Sequence, residues 1–328
     1  MIIKANNKVV LGMSGGIDSS VALYLLKQKK FDVIGVTLDF GCNHKQGIKI
    51  AQANCKKFGC EHVILDSKDV FNKKVIKYFI DSLKKNQTPD PCVMCNRYAK
   101  IDSLINYAKK RKIKHIATGH YATLRKGELI QSSDKDQSYF LCLLKQSQLD
   151  RMIFPITGYD KKDLYSIARK QGIKYLVKES QDLCFTKDVN SYIKKNIGIK
   201  KGNIIDKQGN VLGKHNGIYF YTIGQRKGIK LHGGPYYVIG FKDNNVVVSK
   251  NEEDLYSKVV NLKNINLFKK DIPEKILAKT RFRQELSPAK LSLKKKQLIF
   301  DKPQRAICPG QIAAFYDKDV CLGGGIII

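Results

Sequence analysis

A nine-residue run near the amino terminus, Gly12-Met13-Ser14-Gly15-Gly16-Ile17-Asp18-Ser19-Ser20, constrains the fold of this chain more than any other feature. It overlaps the end of Lys8–Met13, an apolar, β-branched stretch that predicts a buried strand, and it runs into Ser19–Gln28, whose spacing predicts a helix. The glycines let the backbone turn tightly and aim N–H groups at one point, the helix start adds its positive end there, and Ser14, Ser19 and Ser20 supply hydroxyl donors. A strand, an anion-cradling bend and a helix, in that order, open a βαβ unit, so the chain is expected to build a parallel sheet around a phosphate site.

The pattern continues. Val33–Phe40, His62–Leu65 and His115–Thr118 predict strands, and Gly47–Phe58, Lys68–Lys84 and Ile101–Lys110 predict helices, with further helical stretches at Tyr139–Gln146 and Lys161–Gln171. After about residue 195 only short β-rich runs remain. Gly202–Leu212 reads as a hairpin turning at Gly209-Asn210, and Tyr236–Lys250 as one turning at Asn244-Asn245. Ile276–Arg283, Ala289–Leu293, Leu298–Asp301 and Gln311–Phe315, punctuated by Pro288, Pro303 and Pro309-Gly310, suit a small β-barrel. The expected architecture is α/β: a parallel-sheet nucleotide-binding domain over 1–194, a small β-rich linker domain over 195–255 and a C-terminal β-barrel over 256–328.

Charge and cysteines narrow the function. The 328 residues carry a formal net charge of +31, which attracts polyanions, nucleic acid first among them. The excess is steep in 258–302, where thirteen Lys/Arg face four Asp/Glu and Phe282 lies between Arg281 and Arg283 on a predicted strand, a pattern suited to base stacking plus phosphate contact. No apolar stretch approaches the roughly 20 residues of a membrane helix, and Met1–Lys8 reads as neither signal nor transit peptide. A cytoplasmic protein without membrane partners is expected. Nine cysteines, an odd number in a long chain, suit reactive or metal-binding thiols in a reducing compartment better than a disulfide framework.

The glycine loop lacks the Gly-Lys-Ser/Thr ending of a Walker A loop and the Gly-x-Gly-x-x-Gly of a dinucleotide fold. It resembles the PP-loop, Ser-Gly-Gly-x-Asp-Ser, of enzymes that split ATP between its α and β phosphates and transfer AMP. A second motif, Thr88-Pro89-Asp90-Pro91-Cys92-Val93-Met94-Cys95-Asn96-Arg97, sets a Cys-x-x-Cys after a proline-stiffened extended approach and just before a basic helix, where the helix start, Arg97 and Lys100 would favour thiolate. A third, Glu179-Ser180-Gln181-Asp182-Leu183-Cys184-Phe185, carries a lone cysteine. With the blocks 118–121, 135–140, 222–228, 279–284 and 321–326, these motifs resemble the bacterial tRNA-specific 2-thiouridylases (MnmA type) over essentially the whole chain.

The resemblance implies ATP, with Mg²⁺, held by Gly12, Met13, Ser14, Gly15, Gly16, Ile17, Asp18 and Ser19, with Leu38 and Gly119 lining the nucleoside. ATP would adenylate the 2-oxygen of the wobble uridine of tRNA. Cys184 would carry a persulfide received from a cysteine desulfurase or a sulfur-relay protein, and its outer sulfur would attack the base, with Cys95 as the partner thiol that releases sulfide or forms a Cys95–Cys184 disulfide. Asp90, Pro91 and Cys92 would face the target base, and Lys135, Asp136, Gln137, Arg281 and Phe282 would contact tRNA. Many relatives carry Asp, with a suggested general-base role, where this chain has Cys92. The three thiols Cys92, Cys95 and Cys184 would also suit an iron–sulfur cluster, the alternative sulfur carrier. The Cys-x-x-Cys permits zinc, but no second matching pair follows. Cys42-Asn43-His44, Cys55 and Cys60-Glu61-His62 match no metal pattern and read as core or surface, His120 as support for the nucleotide pocket, and Cys308 and Cys321 as packing. A small-molecule adenylating ligase and a non-catalytic RNA-binding protein are the competing functions.

Overall fold

The computed structural model describes residues 7–42, 45–132, 135–177 and 183–328. The expectations placed on Met1–Asn6, on Asn43 and His44, and on Glu179-Ser180-Gln181-Asp182 lie outside the described residues. The chain divides into two compact units, the first made of residues 1–75, 92–185 and 319–321 and the second of residues 76–91, 186–318 and 322–328.

In the first unit, Val9, Val10 and Leu11 are fully buried in strand β1 (Lys8–Gly12), as befits a strand covered on both faces. β2 (Asp32–Asp39), β3 (Glu61–Asp66), β4 (His115–Ala117) and the short strand Met152–Ile153 complete a five-stranded, all-parallel sheet in the order β3-β2-β1-β4-(152–153). Helix α1 (Ile17–Gln28) lays Ile17, Val21, Ala22 and Leu25 into a core shared with Leu11, Val33, Leu164 and Ala168, and α2 (Lys45–Lys57) adds Ala51 and Cys55. The strand order reverses between β1 and β4, so the loops leaving their carboxyl ends flank the crevice where such sheets bind ligands. Tyr139–Gln146 is not the expected helix. It is a 3₁₀ turn, Ser138–Leu141, followed by the helical turn Gln146–Leu149, because Tyr139 and 141–144 are all buried and leave no solvent face for a regular amphipathic helix.

In the second unit, a four-stranded sheet pairs Tyr237–Lys242, Asn245–Ser249, Gly202–Ile205 and Val211–His215 in that order. The second hairpin turns at Asp243-Asn244, one residue earlier than expected, since Asn245 pairs with Lys242 in the ladder. Tyr256–Leu267, Lys275–Lys279, Ser287–Ser292, Gln297–Arg305, Ile312–Asp317 and Val320–Ile327 form a six-stranded antiparallel barrel, closed by Leu262 opposite Ile327 and Lys263 opposite Ile326. Val260, Leu262, Ile276, Phe300, Phe315 and Ile327 fill it. Its first and last strands were not among the expected runs, one being dense in Asn and Lys and the other carrying three consecutive glycines, compositions of low β-propensity that barrel closure overrides.

Candidate functional site

The phosphate loop is braced by its own hydroxyls and by the sheet. Met13 N–H donates to Val36 O (2.8 Å), Ser14 N–H to Ser19 Oγ (3.2 Å), Gly16 N–H to Ser14 Oγ (3.3 Å) and Ser19 Oγ–H to Gly16 O (3.1 Å). Gly15 has φ +78°, and a Cβ there would collide with the backbone of Gly47 at the start of α2. A Cβ on Gly119 would lie 2.8 Å from Asp18 C and from Ser19 N. The loops after β1 and β4 therefore touch backbone to backbone, which only glycine allows. No side chain caps α1 at Gly16, so its leading N–H groups keep their donor capacity for an anion. Asp18, a carboxylate in that first turn, would oppose a phosphate. Its Oδ1 accepts from Lys161 Nζ (2.9 Å) and Tyr121 Oη (3.0 Å), and the Lys161 side chain is only 15% exposed. Lys161 also lies over the Tyr121 and Tyr165 rings. Such a cradle fits a nucleotide triphosphate.

Leu38 and Gly119 sit at the carboxyl ends of β2 and β4, either side of that loop. His120 is buried, its Nδ1 paired with Thr118 Oγ1 at 2.8 Å, and burial holds its pKa well below the usual imidazole range, so the ring is neutral and shapes the pocket. Leu176 N–H donates to Gly15 O (2.9 Å), tying the segment that leads to Cys184 onto the phosphate loop.

The thiols gather beyond β2. Gly41 N–H donates to Asp39 Oδ1 (2.8 Å) and fixes the loop that presents Cys42. The Cys184 thiol hydrogen-bonds Cys42 Sγ, and this contact lowers the Cys42 pKa against burial and the nearby Cys95 and Asp39 charges. Pro91 opens a helical turn, Pro91–Met94, that passes through a wide π turn, Cys95–Lys100, into Ile101–Lys110. The Cys-x-x-Cys thus lies inside the helix rather than ahead of it, Pro91 being suited to the first helical position. Cys92 is exposed and Cys95 buried. Cys95 departs from the expected thiolate: Lys100 lowers its pKa, but burial outweighs it and, with the Cys184 charge, pushes the thiol up to about 11. Among the described residues no three His, Cys, Asp or Glu side chains form a group able to hold a metal ion, so Cys92, Cys95 and Cys184 as arranged do not fit a cluster.

Family comparison agrees with this geometry. Residues 7–188 match the tRNA methyl transferase HUP domain, 190–250 the tRNA methyl transferase PRC-barrel domain and 257–327 the aminomethyltransferase beta-barrel domain. The tRNA-specific 2-thiouridylase MnmA of Clostridioides difficile is 40% identical, covering 98% of this chain and 98% of its own. That of Acetivibrio thermocellus is 38% identical, covering 98% and 99%. The chain belongs to the MnmA tRNA-specific 2-thiouridylase family. Among solved structures, NMN synthetase from Francisella tularensis is similar over 60% of this chain and 74% of that chain, at 16% identity and a TM-score of 0.40.

In this MnmA-family chain the residues expected to meet tRNA fall in both units. Asp90 and Pro91 end the second unit's extended segment 87–91, where Thr88 N–H donates to Pro309 O (2.7 Å) and Gln311 Nε2 to Thr88 O (2.9 Å). Asp90 also adds its charge to the burial that pushes the Tyr78 hydroxyl up to about 12. Asp136 is engaged by its own loop, accepting from Ser132 N–H, Ser138 N–H and Ser138 Oγ–H, and Gln137 Oε1 accepts from Tyr121 N–H (3.0 Å). Those two side chains shape the loop, and Lys135 carries its exposed charge. Arg281 and Phe282 are not on a strand. The strand ends at Lys279, and Gln284 Oε1, accepting from Thr280 N–H (2.8 Å) and Oγ1–H (2.9 Å), closes a turn that holds both. Arg281 donates to the carbonyls of Arg305 and Ala306, and Lys279 Nζ stands 5.9 Å from the Phe282 ring centre. Sequence reasoning missed Lys161, Tyr121 and Cys42. No local signal marks Lys161, but Cys42 sits just beyond a parallel strand's carboxyl end, where ligand-handling residues are expected.

Proposed function

We propose that this chain is an ATP-dependent tRNA sulfurtransferase that adenylates the 2-oxygen of the wobble uridine and replaces it with sulfur carried on Cys184. One observation carries the reading: the loops leaving the carboxyl ends of β1, β2 and β4 hold the phosphate cradle, the thiols and Gly119 on one edge of one sheet. A uracil oxygen is a poor leaving group, and its AMP ester is a good one. The N–H groups of 13–16 and of the first turn of α1 hold the triphosphate, which arrives with Mg²⁺ bound chiefly through its own phosphates. Lys161 and Tyr121 keep the Asp18 carboxylate from repelling it. Cys184 is exposed, so a desulfurase or relay protein can load it, and Cys95 lies close enough for their charges to interact. In this reading Asp90, Pro91 and Cys92 face the target base, and Lys135 and the barrel's Arg281-Phe282 turn touch tRNA. The working division is 1–194 for catalysis, 195–255 as linker and 256–328 for tRNA.

The test is nucleoside mass spectrometry of tRNA after incubation with the protein, ATP and a sulfur source. ATP-dependent 2-thiouridine is expected, and it should vanish in Cys184→Ser while tRNA binding persists. Unimpaired thiolation by that variant would overturn the role of Cys184. Protein purified anaerobically is expected to be active when free of iron; activity only in iron-containing protein would replace the persulfide with a cluster.

A further inference from the structure

Two thiols, not one, surround Cys184, and they differ in access. Cys95 is buried and held as a neutral thiol, whereas Cys42 is half-buried, on a loop, and in hydrogen-bonding contact with Cys184. A buried aromatic ring fixes that contact. Phe40, two residues before Cys42, stacks on Phe71 with ring centres 4.5 Å apart, and Phe185, next to Cys184, meets Phe71 edge-on at 6.2 Å. Phe71 itself is 1% exposed. Both sulfur-bearing loops are thus clamped to one ring.

We propose that Cys42 is the thiol that resolves the sulfur-transfer intermediate, closing a Cys42–Cys184 disulfide. This rests on the persulfide reading above. The outer sulfur of the Cys184 persulfide bonds to C2 of the adenylated uridine and AMP leaves with the oxygen, so the base is joined to Cys184 through an S–S bond. The Cys42 thiolate then attacks Cys184 Sγ. The new Sγ–Sγ bond forms, the old S–S bond breaks, and its electron pair stays on the sulfur at C2, which becomes the thiocarbonyl as N3 regains the proton lost on adenylation. Cys42 and Cys184 are together oxidised by two electrons, the transferred sulfur is reduced by two, and a dithiol reductant resets the pair. An anionic persulfide disfavours the neighbouring Cys42 thiolate until bonding to the base removes its charge, which protects the carried sulfur from early discharge.

The test is a single turnover without reductant. Full-length protein is loaded with one equivalent of sulfur from inorganic polysulfide, desalted, and mixed with ATP and tRNA. 2-Thiouridine is quantified and disulfides are mapped by non-reducing peptide mass spectrometry. A Cys42–Cys184 disulfide forming in step with product is expected. Cys42→Ser should lower the yield at least about tenfold, with dithiothreitol restoring it because an external dithiol can take the same step. A Cys95–Cys184 disulfide with full yield from Cys42→Ser would overturn the assignment while leaving the persulfide reading intact. Product from Cys184→Ser would sink both.

Discussion

Cys95 and Cys42 lie in one unit, three residues from a Pro91 helix start and three from a β2 end respectively, and differ through environment alone. Burial lifts Cys95 from 9.0 to about 11, so it stays protonated where an unfolded-chain cysteine would ionise. Its contribution to stability is complete below pH 9 and is lost as pH rises through about 11, since the unfolded state releases the proton first. Iodoacetamide mapping of native protein at about pH 8 should therefore label Cys42 well before Cys95 and Cys55, whose burial takes it to about 12; equal rates would contradict the placement. Gly119 invites a second measurement. Gly119→Ala sets a methyl 2.8 Å from the backbone of Asp18 and Ser19, so the phosphate loop must shift, and ATP–pyrophosphate exchange should fall by about a hundredfold with the fold retained. The glycine loop was legible in the sequence because backbone chemistry writes itself locally. The state of Cys95 was not, since the charge of Lys100 can be read from the chain but the burial that overrides it cannot.

At the level of elements, strands and helices of the first unit follow their periodicity to within two residues, because each is long or apolar enough to outvote its neighbours: α1, expected at Ser19–Gln28, spans Ile17–Gln28. The barrel was less legible. Tyr256–Leu267 and Val320–Ile327 are strands because they pair with each other, a partnership some sixty residues apart that local composition cannot report. The helix Lys161–Lys170 illustrates a third case: it was expected, yet nothing announced that its first residue would reach Asp18. Lys161→Met leaves that part-buried carboxylate with Tyr121 alone, and the affinity for ATP should drop about tenfold by equilibrium binding, roughly 1.4 kcal/mol. Tyr121→Phe keeps the ring and removes one hydrogen bond, so a smaller loss, about 1 kcal/mol, is expected. A Lys161→Met protein that binds ATP normally would show that Asp18 needs no counter-charge.

The charge of +31 acts over the whole molecule. Binding that neutralises several phosphates releases their counterions, so the logarithm of tRNA affinity should fall linearly with the logarithm of salt concentration, losing about tenfold or more between 50 and 200 mM; a flat response would count against a phosphate-tracking surface. The chain's route adds a different constraint. Residues 319–321 belong with the first unit: Asp319 O accepts from Gln131 N–H, its carboxylate pairs with Arg125, and Val320 sits opposite Ile130, though barrel strand surrounds this tripeptide on either side in sequence. Inheritance of the carboxyl-terminal third as an interchangeable cassette is thereby discouraged, because cutting it away would also unstitch a hairpin belonging to the adenylating half, and a graft would have to bring the same three-residue suture with it.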